Sequence, residues 1–113
     1  MPSATYLSAY RIMWMMVMFD LPVDTKKRRA AATRFRNFLL DQGFERSQFS
    51  IYLRSCSGKE QMETYIGRIR SNLPEFGQVH MVAITDKQYE NIVRFSGRSR
   101  QATRKNPGQL ALF

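Results

Sequence analysis

An uninterrupted apolar segment, Ile12 to Phe19, ends abruptly at Asp20-Leu21-Pro22. It has eight residues, far fewer than the roughly 20 that a membrane-spanning helix requires. A short, bounded apolar run of this kind is typical of a β-strand that is buried on both faces. The segment therefore predicts the most buried strand of the fold.

Two helices are predicted, with a strand region between them. Asp24 or Thr25 can cap the first helix, whose apolar residues recur at helical spacing until Gly43 ends it. Residues 44–54 alternate in polarity and predict one bent strand or two short strands in a hairpin. Ser57-Gly-Lys-Glu60 has the pattern of a capping box and opens a second helix, which ends before Pro74.

The remaining elements complete a recognisable order. Residues 79–85 predict a strand, residues 86–91 a single helical turn, and residues 92–95 a last short strand. The resulting α+β order is that of a ferredoxin-like βαββαβ fold with an additional C-terminal strand. Both helices then lie on one face of an antiparallel sheet. A second copy of the chain is the simplest cover for the other face, so we expect a homodimer packed through the sheet faces.

Length and composition indicate a single basic domain. The 113 residues divide into an N-terminal extension (1–11), the ferredoxin-like domain (12–97) and a basic C-terminal tail (98–113). Eighteen Lys and Arg residues against nine Asp and Glu give a net charge of +9, which favours nucleic acid as partner over a membrane surface. The single cysteine excludes an internal disulfide. No secretory leader is indicated, so we expect a cytoplasmic protein.

The basic residues predict contact with nucleic-acid phosphates and no reading of bases. Phe49 and Tyr52 have opposite strand parity and cannot form one stacking platform. The basic positions expected to contact nucleic acid lie at the start of the first helix and in the tail: Lys26, Lys27, Arg28, Arg29, Arg34, Arg36, Arg98 and Arg100.

Asp20 is the strongest candidate for chemistry. It directly follows the most buried strand, near Gln48 and Ser50 of the strand expected beside it, and close to the cationic start of the first helix. A carboxylate in such a place suits a divalent ion that bridges to a phosphate. One carboxylate holds an ion poorly, so the hypothesis requires a second Asp20 from a two-fold dimer. The alternative is that Asp20 only caps the turn at Leu21-Pro22.

Two other reactive side chains have simpler interpretations. His80 lies within a predicted strand, and a single histidine makes neither a zinc site nor a catalytic triad. Cys56 lies at a strand–helix junction, where a bystander thiol is at least as good an interpretation as a reactive one.

Several motifs together resemble the small CRISPR-associated Cas-two family. They are Met13-Trp-Met-Met-Val-Met-Phe-Asp-Leu-Pro22, the basic helix to Asp41-Gln-Gly-Phe44, and Gln48-Phe-Ser-Ile-Tyr52. The stretch ending Ile84-Thr-Asp-Lys87 is similar to the type II members. The resemblance covers residues 12–97 and implies a ferredoxin-like homodimer whose last strand crosses to the partner's sheet.

The resemblance also implies a function and a site. It implies that the chain acts with the Cas-one integrase in spacer acquisition, binding double-stranded DNA and bridging integrase dimers. The family's magnesium-binding aspartate corresponds to Asp20, with Phe19, Gln48 and Ser50 around it, and its basic helix positions correspond to Lys27, Arg28 and Arg29. Family members have been assigned Mg²⁺-dependent endonuclease activity on RNA or double-stranded DNA. Two alternatives stay open: a stand-alone toxin-like metal-dependent endoribonuclease, and a non-catalytic nucleic-acid-binding dimer.

Overall fold

The computed structural model describes residues 12–98. The N-terminal extension, and Arg100 with the rest of the tail after Arg98, lie outside the described residues. The elements follow in the order β1 (Met13–Asp20), α1 (Lys26–Asp41), β2 (Glu45–Gln48), β3 (Ile51–Cys56), α2 (Lys59–Arg70), β4 (Gln78–Thr85) and α3 (Asp86–Glu90). This order confirms the predicted ferredoxin-like α+β class, and the strand region after α1 is a hairpin.

The four strands form one antiparallel sheet in the order β2-β3-β1-β4. The apolar strand β1 is therefore central, between β3 and β4. Val17 is paired with Tyr52 on one side and with Met81 on the other. Since side chains alternate along a strand, the odd-numbered residues of β1 share one sheet face and the even-numbered residues share the other.

The two long helices cover the face of the odd-numbered residues, which we call the helix face. Met15, Val17 and Phe19 are 2%, 0% and 6% exposed there. They form one cluster with Phe35 and Leu39 of α1 and with residues of β3 and α2 that include Tyr52, Cys56 and Ile69. The Phe19 ring meets Phe35 edge-on, with 5.4 Å between ring centroids. The core of the domain is the layer between β1 and these helices.

The opposite face, which we call the open face, is only partly covered. At one end Trp14 stacks on Tyr89 of α3 at 3.8 Å between ring centroids, and its Nε1 donates to Asp86 Oδ1 at 2.8 Å. Further along, Met16 and Met18 are half-buried, and Val82 of β4 is exposed. The prediction that the apolar strand is buried on both faces is therefore wrong for a single chain, because no helix packs over these side chains.

The helix ends show why the chain turns where it does. Thr25 caps α1 by accepting a hydrogen bond from the Arg28 amide at 3.1 Å, and Gly43 follows the helix with φ +86°. The predicted capping box at Ser57–Glu60 is wrong, because Gly58 is the N-cap of α2 and has no side chain to accept. The Ser57 amide instead donates to Gln61 Oε1.

Within residues 12–98, no helix is both long and apolar enough to cross a bilayer.

The predicted additional C-terminal strand is not formed in the single chain. Residues 92–97 follow α3 without regular secondary structure. Val93 is 73% exposed and Phe95 is 90% exposed. A strand needs a neighbour to pair its backbone groups, and this segment is paired with no strand of the described sheet.

Candidate functional site

Asp20 is the last residue of β1 and lies at the end of the open face. It is exposed and is paired with Gln78 at the start of β4. On the other side, the Phe19 amide donates to the Ser50 carbonyl at 3.1 Å, which brings the β2–β3 turn up to the end of β1. Asp20 is thus flanked by the beginning of β4 and by a hairpin turn. This agrees with the prediction that Asp20 lies near Ser50.

The backbone of Gly77 packs directly against the backbone at Asp20. Gly77 has φ +98°, a conformation that favours glycine, and a Cβ atom there would lie 2.5 Å from the Asp20 carbonyl oxygen. The same atom would lie 2.8 Å from Leu21 Cδ2. Glycine is therefore required by both conformation and space, and this approach positions the end of β1 relative to β4.

The donor set at Asp20 fits magnesium better than it fits zinc or calcium. Residues 12–98 contain no cluster of three or more His, Cys, Asp or Glu side chains arranged to hold a metal ion. Zinc sites take three or more protein ligands, and calcium sites gather several carboxylate and carbonyl oxygens from the protein. Mg²⁺ keeps several of its waters and is commonly held by one or two carboxylates together with substrate phosphates. A single exposed carboxylate is compatible with that mode and with sharing between two copies.

The side chains expected around Asp20 are placed unequally. The Phe19 ring is buried on the helix face, so it points away from the side of the strand that carries Asp20. Ser50 approaches through its backbone carbonyl, and Gln48 is exposed at the end of β2. Tyr52 is 2% exposed whereas Phe49 is 66% exposed, which confirms that the two rings do not form one platform.

The basic start of α1 makes its own contacts. Arg28 Nη1 donates to both carboxylate oxygens of Asp24, at 3.0 and 2.9 Å, and this hydrogen bonding lowers the pKa of Asp24 below its ordinary value. Arg29 donates to the Val23 carbonyl, and Lys27 lies 4.0 Å from Glu75. Among the ion pairs of the described chain, none includes Asp20. The structure therefore does not bring these cations onto the Asp20 carboxylate.

Much of the basic surface is nevertheless open. Lys26, Lys27, Arg29 and Arg34 of α1 are exposed, as is Arg98, the last described residue. Arg36 is half-buried and differs from the others. The exposed group along α1 presents cations to solvent on the outer side of the domain, where a phosphate backbone has access.

A stacked pair that the sequence pattern does not predict lies beside the hairpin turn. The Arg36 guanidinium carbon is 4.6 Å from the Phe49 ring centroid and 5.8 Å from that of Phe19. The two partners come from a helix and from a turn, so no helical or strand period links them. The only feature of the local sequence that points to this pair is an aromatic residue in a two-residue turn.

The remaining reactive side chains lie on different faces. His80 is exposed on the open face, paired with Met18 of β1. Cys56 is 2% exposed on the helix face, and burial raises the pKa of its thiol. A thiol in that state is a poor nucleophile at neutral pH. This placement supports the interpretation of Cys56 as a bystander.

Comparison with known proteins identifies the family. The model of the family described as CRISPR associated protein Cas2 matches residues 13–92. The chain belongs to the Cas2 family. The matched region contains every strand of the sheet and Asp20, so the resemblance drawn from the sequence motifs is confirmed.

Two relatives named CRISPR-associated endoribonuclease Cas2 match nearly full length. The protein of Paracidovorax avenae is 55% identical over 107 residues, which is 95% of this chain and 99% of the relative. That of Flavobacterium psychrophilum is 46% identical over 109 residues, covering 96% of this chain and 95% of the relative. A solved structure titled "Crystal structure of cas2" has a TM-score of 0.54 and 20% identity, and covers 78% of this chain and 92% of its own. It shows that the fold is that of a Cas2 protein.

Proposed function

We propose that this Cas2 protein is a subunit of CRISPR spacer acquisition. It acts as a homodimer that binds duplex DNA through its backbone and bridges dimers of the Cas-one integrase, and it carries a magnesium-dependent endonuclease site at Asp20. The observation that supports this most is the position of Asp20. It is an exposed carboxylate at the end of an apolar sheet face that the chain's own helices leave open.

The homodimer is inferred from the open face. Met16, Met18 and Val82 lie side by side across β1 and β4 and keep contact with solvent in the single chain. A second copy covers them without any additional protein, and a two-fold axis makes the same patch serve both subunits. Asp20 lies at one end of this face, so the proposal requires a two-fold axis that passes near that end. The two Asp20 carboxylates would then approach one another and supply the second carboxylate that a single chain lacks.

The proposed chemistry divides between the ion and the protein. Mg²⁺, when bound, would supply Lewis-acid polarisation of a phosphodiester and activation of water. The Asp20 carboxylate would hold the ion, and the Gly77 contact keeps the Asp20 backbone in position. The exposed cations of α1, among them Lys26 and Arg29, bind neighbouring phosphates and hold the strand in register.

A second candidate function is a stand-alone endoribonuclease that shares the fold. It is favoured by the names of the Paracidovorax avenae and Flavobacterium psychrophilum relatives, which are both called endoribonucleases. This candidate needs the same Asp20 site but no integrase. Co-purification with the integrase, in the presence and absence of DNA, distinguishes the two.

Asp20→Asn tests the site. The amide keeps the shape of the side chain but removes the negative charge that a hard cation needs. We expect cleavage of RNA or duplex DNA in Mg²⁺ to fall roughly 100-fold or more. DNA binding is expected to stay unchanged or to tighten slightly, because the phosphate contacts come from other residues. Spacer integration with the integrase is also expected to survive.

Asp41→Asn is the matched control, because Asp41 is an exposed carboxylate at the far end of α1. It removes the same charge and should cleave at the wild-type rate. The magnesium site is contradicted if Asp20→Asn cleaves like the wild type with the same metal dependence. The scaffold role is contradicted if integration stops while the Asp20→Asn protein still folds and binds DNA.

A further inference from the structure

Two phenylalanine rings flank the end of β1, and each carries an arginine stacked on it. Phe49 lies in the turn between β2 and β3, with the Arg36 guanidinium 4.6 Å from its ring centroid. Phe76 lies just before β4, with the Arg28 guanidinium 4.7 Å from its centroid. The two pairs therefore stand on opposite sides of Asp20 and look alike in their stacking distance.

The pairs differ in what else holds them. Arg28 is fixed by two hydrogen bonds to Asp24, so its charge is met by a carboxylate. Arg36 is in no ion pair within residues 12–98, and its Nε is buried without a hydrogen-bond partner there. The rings differ as well, since Phe76 is 41% exposed and Phe49 is 66% exposed. Only the Phe49 pair combines an open ring with a cation that lacks an acidic partner.

The Phe49 ring has a defined orientation although most of it is exposed. Phe49 is not part of the core cluster, and its ring is held from one side by a guanidinium. Arg36 in turn rests near the buried Phe19 ring, at 5.8 Å, so the cation is supported from below by the core. A ring presented on a firm base, with most of its area open, has the form of a stacking surface for another flat group.

We propose that Phe49 and Arg36 form a stacking platform for an unpaired nucleobase at the end of the sheet that carries Asp20. This inference rests on the proposed function, since it names the part of the nucleic acid that the site engages. Base stacking on aromatic side chains contributes roughly 1–3 kcal/mol per base and tolerates any sequence. A positively charged group at the edge of the stack adds attraction to the base and to its phosphate.

The position of the turn gives the platform its role. The hydrogen bond from the Phe19 amide to the Ser50 carbonyl ties the residue after Phe49 to the residue before Asp20. A nucleotide whose base stacks on Phe49 therefore lies at the same end of the sheet as Asp20, on the side of the helix face, because Arg36 also lies over the Phe19 ring. The platform would engage one unpaired nucleotide, in a single strand or in an overhang of a bound duplex, while the paired part of a duplex is held through its phosphates.

Fluorescence anisotropy with labelled oligothymidylate and with a blunt duplex of the same length tests this. We expect Phe49→Ala to weaken single-strand binding by about 5- to 150-fold, the ratio that corresponds to one lost stack. Binding of the blunt duplex should stay unchanged. Phe49→Trp should retain single-strand binding, and its added fluorescence should be quenched by oligothymidylate.

Phe76→Ala is the matched control, because it removes an exposed ring that also carries a stacked arginine. It should leave single-strand binding unchanged. The platform is overturned if Phe49→Ala binds oligothymidylate as the wild type does, if it loses both nucleic acids equally, or if the wild type binds no single strand. Wild-type failure to bind the blunt duplex, with single-strand binding still dependent on Phe49, would instead contradict the proposed duplex-binding function and leave the platform standing.

Discussion

The two faces of the sheet carry similar side chains but have different surroundings. On β1, Met15 is 2% exposed on the helix face, while the neighbouring Met16 on the open face is half-buried. On β4 the difference is small, since the neighbours Met81 and Val82, which lie on opposite faces, are 37% and 41% exposed. The helix face is complete within one chain along β1. The open face carries apolar side chains like those of a core, but no layer of the single chain covers all of them.

The side chains that could react or bind a metal are divided between the two faces in the same way. Cys56, on the helix face, is buried with a raised pKa. Asp20 and His80, on the open face, are both exposed. One face thus holds the core of the domain, and the other is the face that the proposed dimer would cover. Variants that alter one face and leave the other intact test this division.

Truncation of the helix face should have the largest effect on stability. We expect Met15→Ala to lower the free energy of unfolding by about 2–5 kcal/mol, because it leaves a cavity between β1 and the helices. Met16→Ala removes the same atoms from the adjacent residue and should have less than half that effect at protein concentrations low enough to separate the subunits. Urea denaturation over a dilution series measures both. Equal effects at low concentration would contradict the difference between the faces.

Gly77→Ala should have a smaller effect that is concentrated at the site. Its methyl group would meet the Asp20 carbonyl, in addition to the strain of a positive φ, which contributes about 1–3 kcal/mol. Gly58→Ala is the control, because Gly58 also has a positive φ but open space around its Cβ position. We expect Gly77→Ala to be the less stable of the two in urea denaturation. We also expect only Gly77→Ala to lose cleavage that depends on Asp20. Equal stability and equal activity of the Gly77→Ala and Gly58→Ala proteins would show that the close contact between Gly77 and Asp20 is not needed for either property.

Local patterns in the sequence predict most of the fold. The apolar run before Asp20, the cap at Thr25 and the glycine at 43 each act through neighbouring residues, so they are readable without tertiary structure. The order of elements then leaves few topologies, and the one-sided helices imply an open face. The prediction of a C-terminal strand is wrong for a single chain, because a strand needs a neighbouring strand to pair with and residues 92–95 have none.

The candidate site is less accessible to prediction. Asp20 is readable because it ends an apolar strand, and its closeness to Ser50 follows from the topology. The partners of Arg28 and Arg36 cannot be read from the sequence, because a long cationic side chain can reach several different groups. In the structure Arg28 is hydrogen-bonded to Asp24, and Arg36 stacks on the Phe49 ring. Phe19 shows a further limit, since adjacent residues of a strand point to opposite faces and do not share a site.

The most direct test of the account is the mass of the protein in solution with a charge placed on each face of β4. Val82→Lys and Met81→Lys introduce the same charge at adjacent, similarly exposed positions, so the two should change the stability of the single chain by similar amounts. Light scattering over a dilution series should return twice 13.3 kDa for the wild type and for Met81→Lys, and 13.3 kDa for Val82→Lys. A wild type that stays at 13.3 kDa at every concentration, or a Val82→Lys protein that remains a dimer, would contradict the claim that a second copy closes the open face.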